Sequence, residues 1–530
     1  MTYFICSLAI LLAYLFLRTK KSLHMLQQNL YDNDRRYIKW IFKNRNKIFE
    51  VVDLLPLLLA ILLSFITNNI VIMIATMLVY GWAFISTYNK MSKESQKKPL
   101  VVTARVKRLI ITIVIIYLIP FILIIKDYQP AELNTYLYIF ILLAYLQYFI
   151  VWLAVKINIP VEKLVYLYYF KKAKDKLKSM SNLKIIGITG SYGKTSSKNI
   201  LSDILNIKYT ALPTPLNYNT PYGLMITINN YLDKFTEILI AEMGAYKIGE
   251  IQELCDFVHP KYGILTKIGT AHLDTFGTQE NVQKAKFELI ESLPHDGIGV
   301  LNADDPLQTN YKLKNDCKIL WIGIDNKDVD VKASDIIVSH LGTTFKVMFK
   351  GDKTKYEFET KLLGYANVYN VLAAIALGYE LGIEIPQLER AVRRVKPVEH
   401  RLELKQYANI NIIDDAYNSN PEGSKMAVEV LGMMPGKKII VTPGMVGFAN
   451  EQDELNKEFG KTIAKFCDEV ILVGQNQTKP IQEGLKEAKY NNNNIHIVND
   501  VKQAFSLMSK LKEGDTYVLL ENDLPDIFNE

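Results

Sequence analysis

The chain has 530 residues, 49% of them hydrophobic, with 62 Lys and Arg against 55 Asp and Glu and a formal net charge of +7. That length allows about three domains, and a mean hydropathy above zero is high for a purely soluble protein. The excess positive charge sits in short segments beside apolar runs, which argues against nucleic-acid binding, and the four cysteines, Cys6, Cys255, Cys317 and Cys467, lack the paired spacing of a disulfide framework or a zinc site.

Four apolar runs open the chain: Met1–Leu17, Val51–Thr87, Leu109–Ile125 and Tyr136–Val155. A spanning helix takes about 20 apolar residues, so the second run is long enough for two, turning at Asn68–Asn69. The basic segments Arg18–Lys47 and Tyr88–Arg108 both belong on the cytoplasmic side, and only an even number of crossings between them allows that. The sequence therefore predicts an integral α-helical membrane region over residues 1–165, of about five spans, with its N-terminus outside and everything after Lys156 cytoplasmic. Met1–Leu17 has no basic segment before its apolar run, which suits an anchor rather than a cleaved signal peptide. A basic linker, residues 166–182, follows, and its stretch Phe170–Met180 reads equally as resting on anionic headgroups or as a solvated helix.

At Lys184–Asn199, KIIGITGSYGKTSSKN, the pattern changes. Ile185, Ile186 and Ile188 read as a buried strand, Gly190 to Gly193 as a tight loop, and Thr195 onward as a helix with Ile200, Leu201, Ile204 and Leu205 on one side. Such a loop cradles phosphate: glycines let backbone N–H groups close on the oxygens at a helix N-terminus, Lys194 supplies a compact positive charge, and the Thr195 hydroxyl can ligate Mg²⁺. The spacing is not that of a Walker A loop, since Ile188 stands where its first glycine is required. Strands and helices then alternate, predicting an α/β domain over residues 183–398 with a mostly parallel sheet. One strand, in Thr236–Ala245, carries Glu242 at its C-terminal end, where ligands of open α/β sheets bind. Another, in Tyr262–Thr278, runs into a loop with His272 and Asp274, and the helix after it carries Lys284 and Lys286. Singly, each of these side chains has an ordinary role as a solvated or packed residue.

Residues 399–530 hold five strand candidates, Asn411–Asp414, Lys438–Thr442, Glu469–Val473, Ile495–Val498 and Tyr517–Glu521, separated by helical stretches. The pattern predicts a small Rossmann-like sheet, and with no GxGxxG after its strands no dinucleotide is expected.

Taken together, TGSYGKTS, TPLNYNTPYG, EMGAYKIGEI, AHLDTFGT with KAKFEL, NADDP, GYANVYNVLAAIA, and HRLE with IDDAYNSNP resemble, in order, the motifs of the Mur ligase family, most closely its D-alanyl-D-alanine-adding branch. The resemblance covers nearly all of residues 184–450. It implies a central P-loop ATPase domain followed by a C-terminal Rossmann-like domain, with ATP and two Mg²⁺ sites. Gly190, Ser191, Gly193, Lys194, Thr195 and Ser196 would form the nucleotide loop, Lys194 holding the β- and γ-phosphates. Thr195 and Glu242 would hold one Mg²⁺ and His272 a second, with Lys286 carbamylated so that it, too, can bind a cation. Asn219 and Asn302 would lie near the adenine, and Arg401 and Asp415 would reach the nucleotide from the last domain.

Three departures bear on the substrate. Family members of this branch carry an N-terminal domain that grips a UDP-sugar, and here the apolar region runs into the first ATPase strand. Ala366 replaces the histidine of the family's GxHN, and TPGM at Thr442–Met445 replaces its LGDM. The end of the chain reads LLENDLPD where a KGSRS-type motif is usual. The reading that follows is a membrane-anchored, ATP-dependent amide ligase, multi-pass, with its catalytic domains on the cytoplasmic side. It would act on a cell-envelope precursor, a polyprenyl-linked glycan or peptide, with an amino acid or dipeptide as the amine, since tethering raises effective concentration. Alternatives are D-Ala-D-Ala addition to UDP-MurNAc-tripeptide, synthesis of a polyglutamate-type amide polymer, and, in another class, a transporter or flippase driven by the ATPase, or an inactive scaffold.

Overall fold

The computed structural model describes residues 2–29, 31–49, 69–93, 99–126, 133–270, 273–407, 409–417, 419–446 and 451–523, with residues 54, 55, 58 and 448. The chain divides into two compact units, Met1–Tyr168 and Tyr169–Glu530.

The first unit is helical: α1 (Thr2–Gln28), α2 (Asn69–Lys93), α3 (Ala104–Lys126), α4 (Leu133–Tyr145) and the first part of α5 (Gln147–Lys178), with shorter helical turns between Asn33 and Ile48. Two of its expectations change. Helix α1 runs on past Leu17, because its buried face, Leu11, Tyr14 and Leu15, continues about two and three turns later at Leu23 and Leu26. Arg18, read as part of a basic flank, is therefore carried into the helix packing, 7% exposed, where it donates to the Ile48 carbonyl at 2.8 Å and the Tyr14 hydroxyl at 2.9 Å. The run Tyr136–Val155 is not one straight span either. Among the described residues no single helix is long and apolar enough to cross a membrane; Ile139–Tyr145 and Gln147–Lys178 reach that length only as a pair bent by 82°. At the bend Gln147 is fully buried, its amide donating to Thr19 Oγ1 at 2.8 Å while its carbonyl oxygen accepts from the Tyr117 hydroxyl. Most of the expected span before Asn68 lies outside the described residues.

The second unit holds two sheets. The larger has the order β2-β3-β1-β4-β5-β6-β7-β8-β9, formed by β1 (Lys184–Thr189), β2 (Ala211–Pro213), β3 (Ile238–Glu242), β4 (Tyr262–Leu265), β5 (Ile298–Asn302), β6 (Lys318–Gly323), β7 (Val331–Ser339), β8 (Gly342–Phe349) and β9 (Tyr356–Thr360). It is parallel from β2 to β7 and antiparallel from there. β1 lies between β3 and β4 and is buried on both faces, as its β-branched run requires. Ile186, Ile188, Ile240 and Ile264 pack with Ile200, Leu201 and Ile204 of α6 (Lys194–Leu205) and Val371, Leu372 and Ile375 of α10 (Tyr365–Glu380). Each such side chain contributes about 1.5–3 kcal/mol, so the loop between β1 and α6 is anchored by fully buried core.

On the other face a row of glycines takes the place of side chains. Gly187, Gly263 and Gly299 are register partners on β1, β4 and β5. They let α9 (Gln279–Glu291) settle close to the sheet, and a Cβ at Gly187 would lie 2.4 Å from Leu289 Cδ1. Because Lys286 rides on this helix, the glycine row sets its height above the sheet. Gly187→Ala is expected to cost about 1–3 kcal/mol, read as a melting temperature lower by roughly 3–10 °C.

The smaller sheet has the order β10-β11-β15-β12-β13-β14, from β10 (Glu403–Tyr407), β11 (Ile410–Asp415), β12 (Lys437–Thr442), β13 (Glu469–Val473), β14 (Ile495–Val498) and β15 (Thr516–Glu521). All pairs but β10 with β11 are parallel. The α/β organisation and the five C-terminal strand positions expected from the sequence are present. The edge hairpin strand β10 and the antiparallel extension β7–β9 were not foreseen.

Candidate active site

Thr189 ends β1, and the chain turns at Gly190, whose φ of +150° and lack of Cβ let Thr266 approach. The Thr266 hydroxyl donates to the Tyr192 carbonyl at 2.6 Å and the Thr189 carbonyl at 3.1 Å, and the Ser191 N–H donates to the Lys267 carbonyl at 2.8 Å. The loop is thus stitched to the end of β4. Gly193, at φ +82°, precedes α6, and Asn370 of α10 stands against it, its Oδ1 only 3.2 Å from where a Cβ would be. Lys194 folds back over the loop, donating to the carbonyls of Gly190 at 2.7 Å and Ser191 at 3.1 Å. Burial pushes its ammonium down to about 8, against the pull of Glu242, and the Arg401 guanidinium adds to the depression. Ser196 lies in the first turn of α6.

Glu242, 1% exposed at the end of β3, is the centre of the next group. Its Oε1 accepts from the Thr195 hydroxyl and from the Asn219 amide, each at 3.2 Å. The side chain of Asn219, read from the sequence as an adenine neighbour, thus lies on the carboxylate. Glu242 Oε2 faces Lys198 Nζ at 3.0 Å, both side chains 1% exposed. The sequence reading missed Lys198; its signal is spacing, since it falls four residues after Lys194 and three after Thr195, on the same face of α6.

Lys286 is 2% exposed and its ammonium lies 5.5 Å from the centre of the Phe276 ring. Burial first and Lys194 second push it down to about 7, opposed by Glu288 and Glu250. His272 lies outside the described residues. Among the described residues no three His, Cys, Asp or Glu side chains converge as a metal site; the oxygens brought together here are Glu242 Oε1 and the Thr195 hydroxyl, 3.2 Å apart. Asn302 ends β5, where its Oδ1 accepts the Asp304 N–H at 2.9 Å. Asp304 in turn accepts from the backbone of Ile324 and Asn326 and from the Tyr369 hydroxyl, which locks this strand end.

From the smaller sheet, Arg401 lies between His400 and Leu402, both left-handed at φ +59° and +47°, and its guanidinium is 4.5 Å from the centre of the Tyr417 ring. Asp415, at the end of β11, accepts the Leu402 N–H at 3.2 Å; burial pushes its carboxyl up to about 6, opposed by Arg401. Lys267, after β4, pairs with Glu422 at 3.2 Å, linking the loop beneath the nucleotide turn to α12 (Pro421–Gly432).

The departure at the end of the chain also has a physical role. Glu521 closes β15, 1% exposed, and accepts hydrogen bonds from the Ser419, Ser424 and Thr442 hydroxyls at 2.6, 2.5 and 3.0 Å. Burial pushes its carboxyl from the usual 4.5 up to about 7, opposed by Ser419 and Ser424 and reinforced by Asp415. In the folded protein it holds its proton to higher pH than in the unfolded chain. Its contribution to stability is therefore full below about pH 4.5 and is lost as pH rises through about 7. Glu521→Gln is expected to flatten the fall in melting temperature between pH 5 and 8, a comparison that thermal unfolding reads directly.

A phosphate-type loop on a parallel sheet, followed by a second, Rossmann-like sheet whose Arg401 acts on Lys194 of that loop, defines a nucleotide-using domain pair. Residues 188–378 match the Mur ligase middle domain and residues 400–520 the Mur ligase glutamate ligase domain, and over these two domains, more than half its length, the chain belongs to the Mur ligase family. A UDP-N-acetylmuramoyl-tripeptide–D-alanyl-D-alanine ligase of Bacillus subtilis (strain 168) is 33% identical over 285 residues, 53% of this chain and 60% of that protein. The enzyme of the same name from Escherichia coli (strain K12) is 30% identical over 295 residues, 55% of this chain and 65% of that protein. The chain thus spans less than two thirds of these relatives. Among solved structures, the MurF ligase of Thermotoga maritima in complex with ADP aligns with a TM-score of 0.59 and 26% identity, covering 67% of this chain and 80% of that one. MurF from Acinetobacter baumannii aligns at 0.60 with 23% identity over 68% and 77%, a likeness of fold.

Proposed function

We propose that the protein is an ATP-dependent amide ligase of the MurF type. The observation that carries the reading is the convergence of Lys194, Thr195 and Glu242 at the end of β1 and β3, on domains matched to ligases named for adding D-alanyl-D-alanine to a UDP-N-acetylmuramoyl-tripeptide. The γ-phosphoryl group of ATP passes to a substrate carboxylate oxygen, breaking its bond to the β-phosphate. ADP is the leaving group of that step; the amine then attacks the acyl carbon and expels phosphate, giving the amide, phosphate and a proton. Lys194, whose positive charge is depressed by burial and by Arg401, gains most from a polyanion at this loop. A carboxylate and a hydroxyl suit Mg²⁺, and the 3.2 Å between Glu242 Oε1 and Thr195 Oγ1 is close to the separation of adjacent oxygen ligands. Such an ion would offset the charge of carboxylate meeting triphosphate. Arg401 and Asp415 hold the nucleotide from the second domain, whose closure excludes water from the acyl phosphate.

Lys286 fits a carbamate. Near pH 7 about half of its amine is neutral, the form that adds CO₂ and releases a proton. In ¹³C-bicarbonate the wild-type protein is expected to show a carbamate ¹³C resonance that strengthens as pH rises through 7 and is missing from Lys286→Met; a resonance that survives that substitution would assign it to another amine.

A second reading concerns where the substrate is. The helical unit turns large apolar side chains outward, among them Phe16, Leu78, Trp82, Ile111, Ile122 and Leu164, the first and second 68% and 70% exposed. Such a surface favours attachment to a membrane, with the ligase domains on the cytoplasmic side and a polyprenyl-linked precursor as the acceptor. ADP release by the full chain in detergent separates the two. Turnover with UDP-MurNAc-tripeptide and D-Ala-D-Ala is the expected result; turnover only with a polyprenyl-lipid extract and mixed amino acids would transfer the assignment to the lipid-linked acceptor.

A further inference from the structure

Lys198 is a charged side chain only 1% exposed, beside a carboxylate that is also 1% exposed. Stability does not account for it, because a buried ion pair gains little over apolar packing of the same volume. Its geometry offers a reason. Glu242 divides its two oxygens: Oε1 is shared by Thr195 and Asn219, while Oε2 is shut away from solvent and approached by Lys198 as an ion pair rather than as an aligned hydrogen bond. The same ammonium donates to the carbonyl of Leu216, a residue held left-handed at φ +48° and 77% exposed. Leu216 belongs to the loop that delivers Asn219, whose carbonyl also accepts the Gly244 N–H at 2.8 Å. Lys198 therefore grips the carboxylate from the helix side and the loop beside it at once.

We infer that Lys198 is a positioning residue that occupies Oε2 of Glu242 and so leaves Oε1, next to the Thr195 hydroxyl, as the single oxygen offered to a divalent cation. This rests on the ligase reading in one respect, that Glu242 receives the cation. Arginine at this position keeps the charge but presents a planar fork that engages both carboxylate oxygens. Methionine keeps the length and releases Glu242 to turn.

The test uses the full chain in detergent with ADP and Mn²⁺, binding followed by electron paramagnetic resonance and folding by thermal unfolding. Lys198→Arg is expected to unfold cooperatively and to bind Mn²⁺ at least tenfold more weakly, with metal-free ADP affinity within twofold of wild type. Lys198→Met is expected to keep Mn²⁺ affinity within about threefold while kcat for ADP release falls at least a hundredfold. Wild-type Mn²⁺ affinity in Lys198→Arg, or wild-type kcat in Lys198→Met, overturns the inference. If Lys198→Arg does not unfold cooperatively, Lys198→Met decides alone, and loss of cooperative unfolding in both assigns the pair a structural role only. Wild-type protein that binds no Mn²⁺, or Glu242→Gln that binds it undiminished, removes the ligase reading of Glu242 and this inference with it.

Discussion

Lys194→Met is expected to lower ADP release at least a hundredfold to a thousandfold, the scale on which a preorganised charge at a transferring group acts, while leaving the fold intact. The two halves of that expectation have one cause. Burial and Arg401 already hold the ammonium near 8, so its charge is a cost to the folded chain until phosphate arrives. Methionine removes that cost, and the melting temperature without nucleotide should hold or rise. The ionisation sets a pH dependence as well: with the folded value lowered from 10.5 to about 8, nucleotide affinity should weaken as pH rises past 8, and that slope should vanish in the variant. Calorimetric titration with ATP and coupled ADP release read both. A variant that keeps turnover within tenfold, or a cell that does not notice the substitution, would return the domain to the scaffold reading.

Gly190→Ala should be nearly as damaging by a different route. The new Cβ would stand 2.0 Å from Thr266 Oγ1 and 3.2 Å from the Lys267 carbonyl, at a φ of +150°. Thr266 cannot step aside, because its hydroxyl is spent on the carbonyls of Thr189 and Tyr192, the two ends of the turn. The cost is about 2–4 kcal/mol, a melting temperature lower by roughly 5–15 °C, and ATP binding should fail even in the folded fraction. Gly190→Ala with Thr266→Ala removes the colliding oxygen but not the backbone strain. Recovery of part of the stability, without recovery of ATP binding, would separate collision from conformation.

The nucleotide loop was legible because its residues are contiguous: Ile185 to Ile188 fix the strand, the glycines fix the turn, and Lys194 and Thr195 follow by position. Glu242 was legible because strand ends in an α/β sheet share one edge. What escaped depends on contacts between distant segments. The closure of the Asn219 loop onto Glu242 cannot be read from TPLNYNT. The glycine row exists only once Gly187, Gly263 and Gly299 fall into register. Glu521 looked like a missing motif until Ser419, Ser424 and Thr442 were seen to surround it. In the helical unit, hydropathy marked the apolar runs, but the burial of Arg18 and the bend at Gln147 follow from polar partners that hydropathy does not weigh.

The place of β15 has a consequence for how the second domain comes into being. This strand pairs with β11 on one side and β12 on the other, so the middle of the sheet is the part made last on the ribosome. Until Leu519 emerges, Ile413 and Ile440, each fully buried in the finished sheet, lie on two strands with no partner between them. A nascent chain paused among the helices before Thr516 presents two open edges that can pair with anything extended, and closing such a long-range pairing is slow. The two domains therefore mature in sequence: the loop between β1 and α6 can be complete while Asp415, at one of those open edges, has yet to gain its partner Glu521.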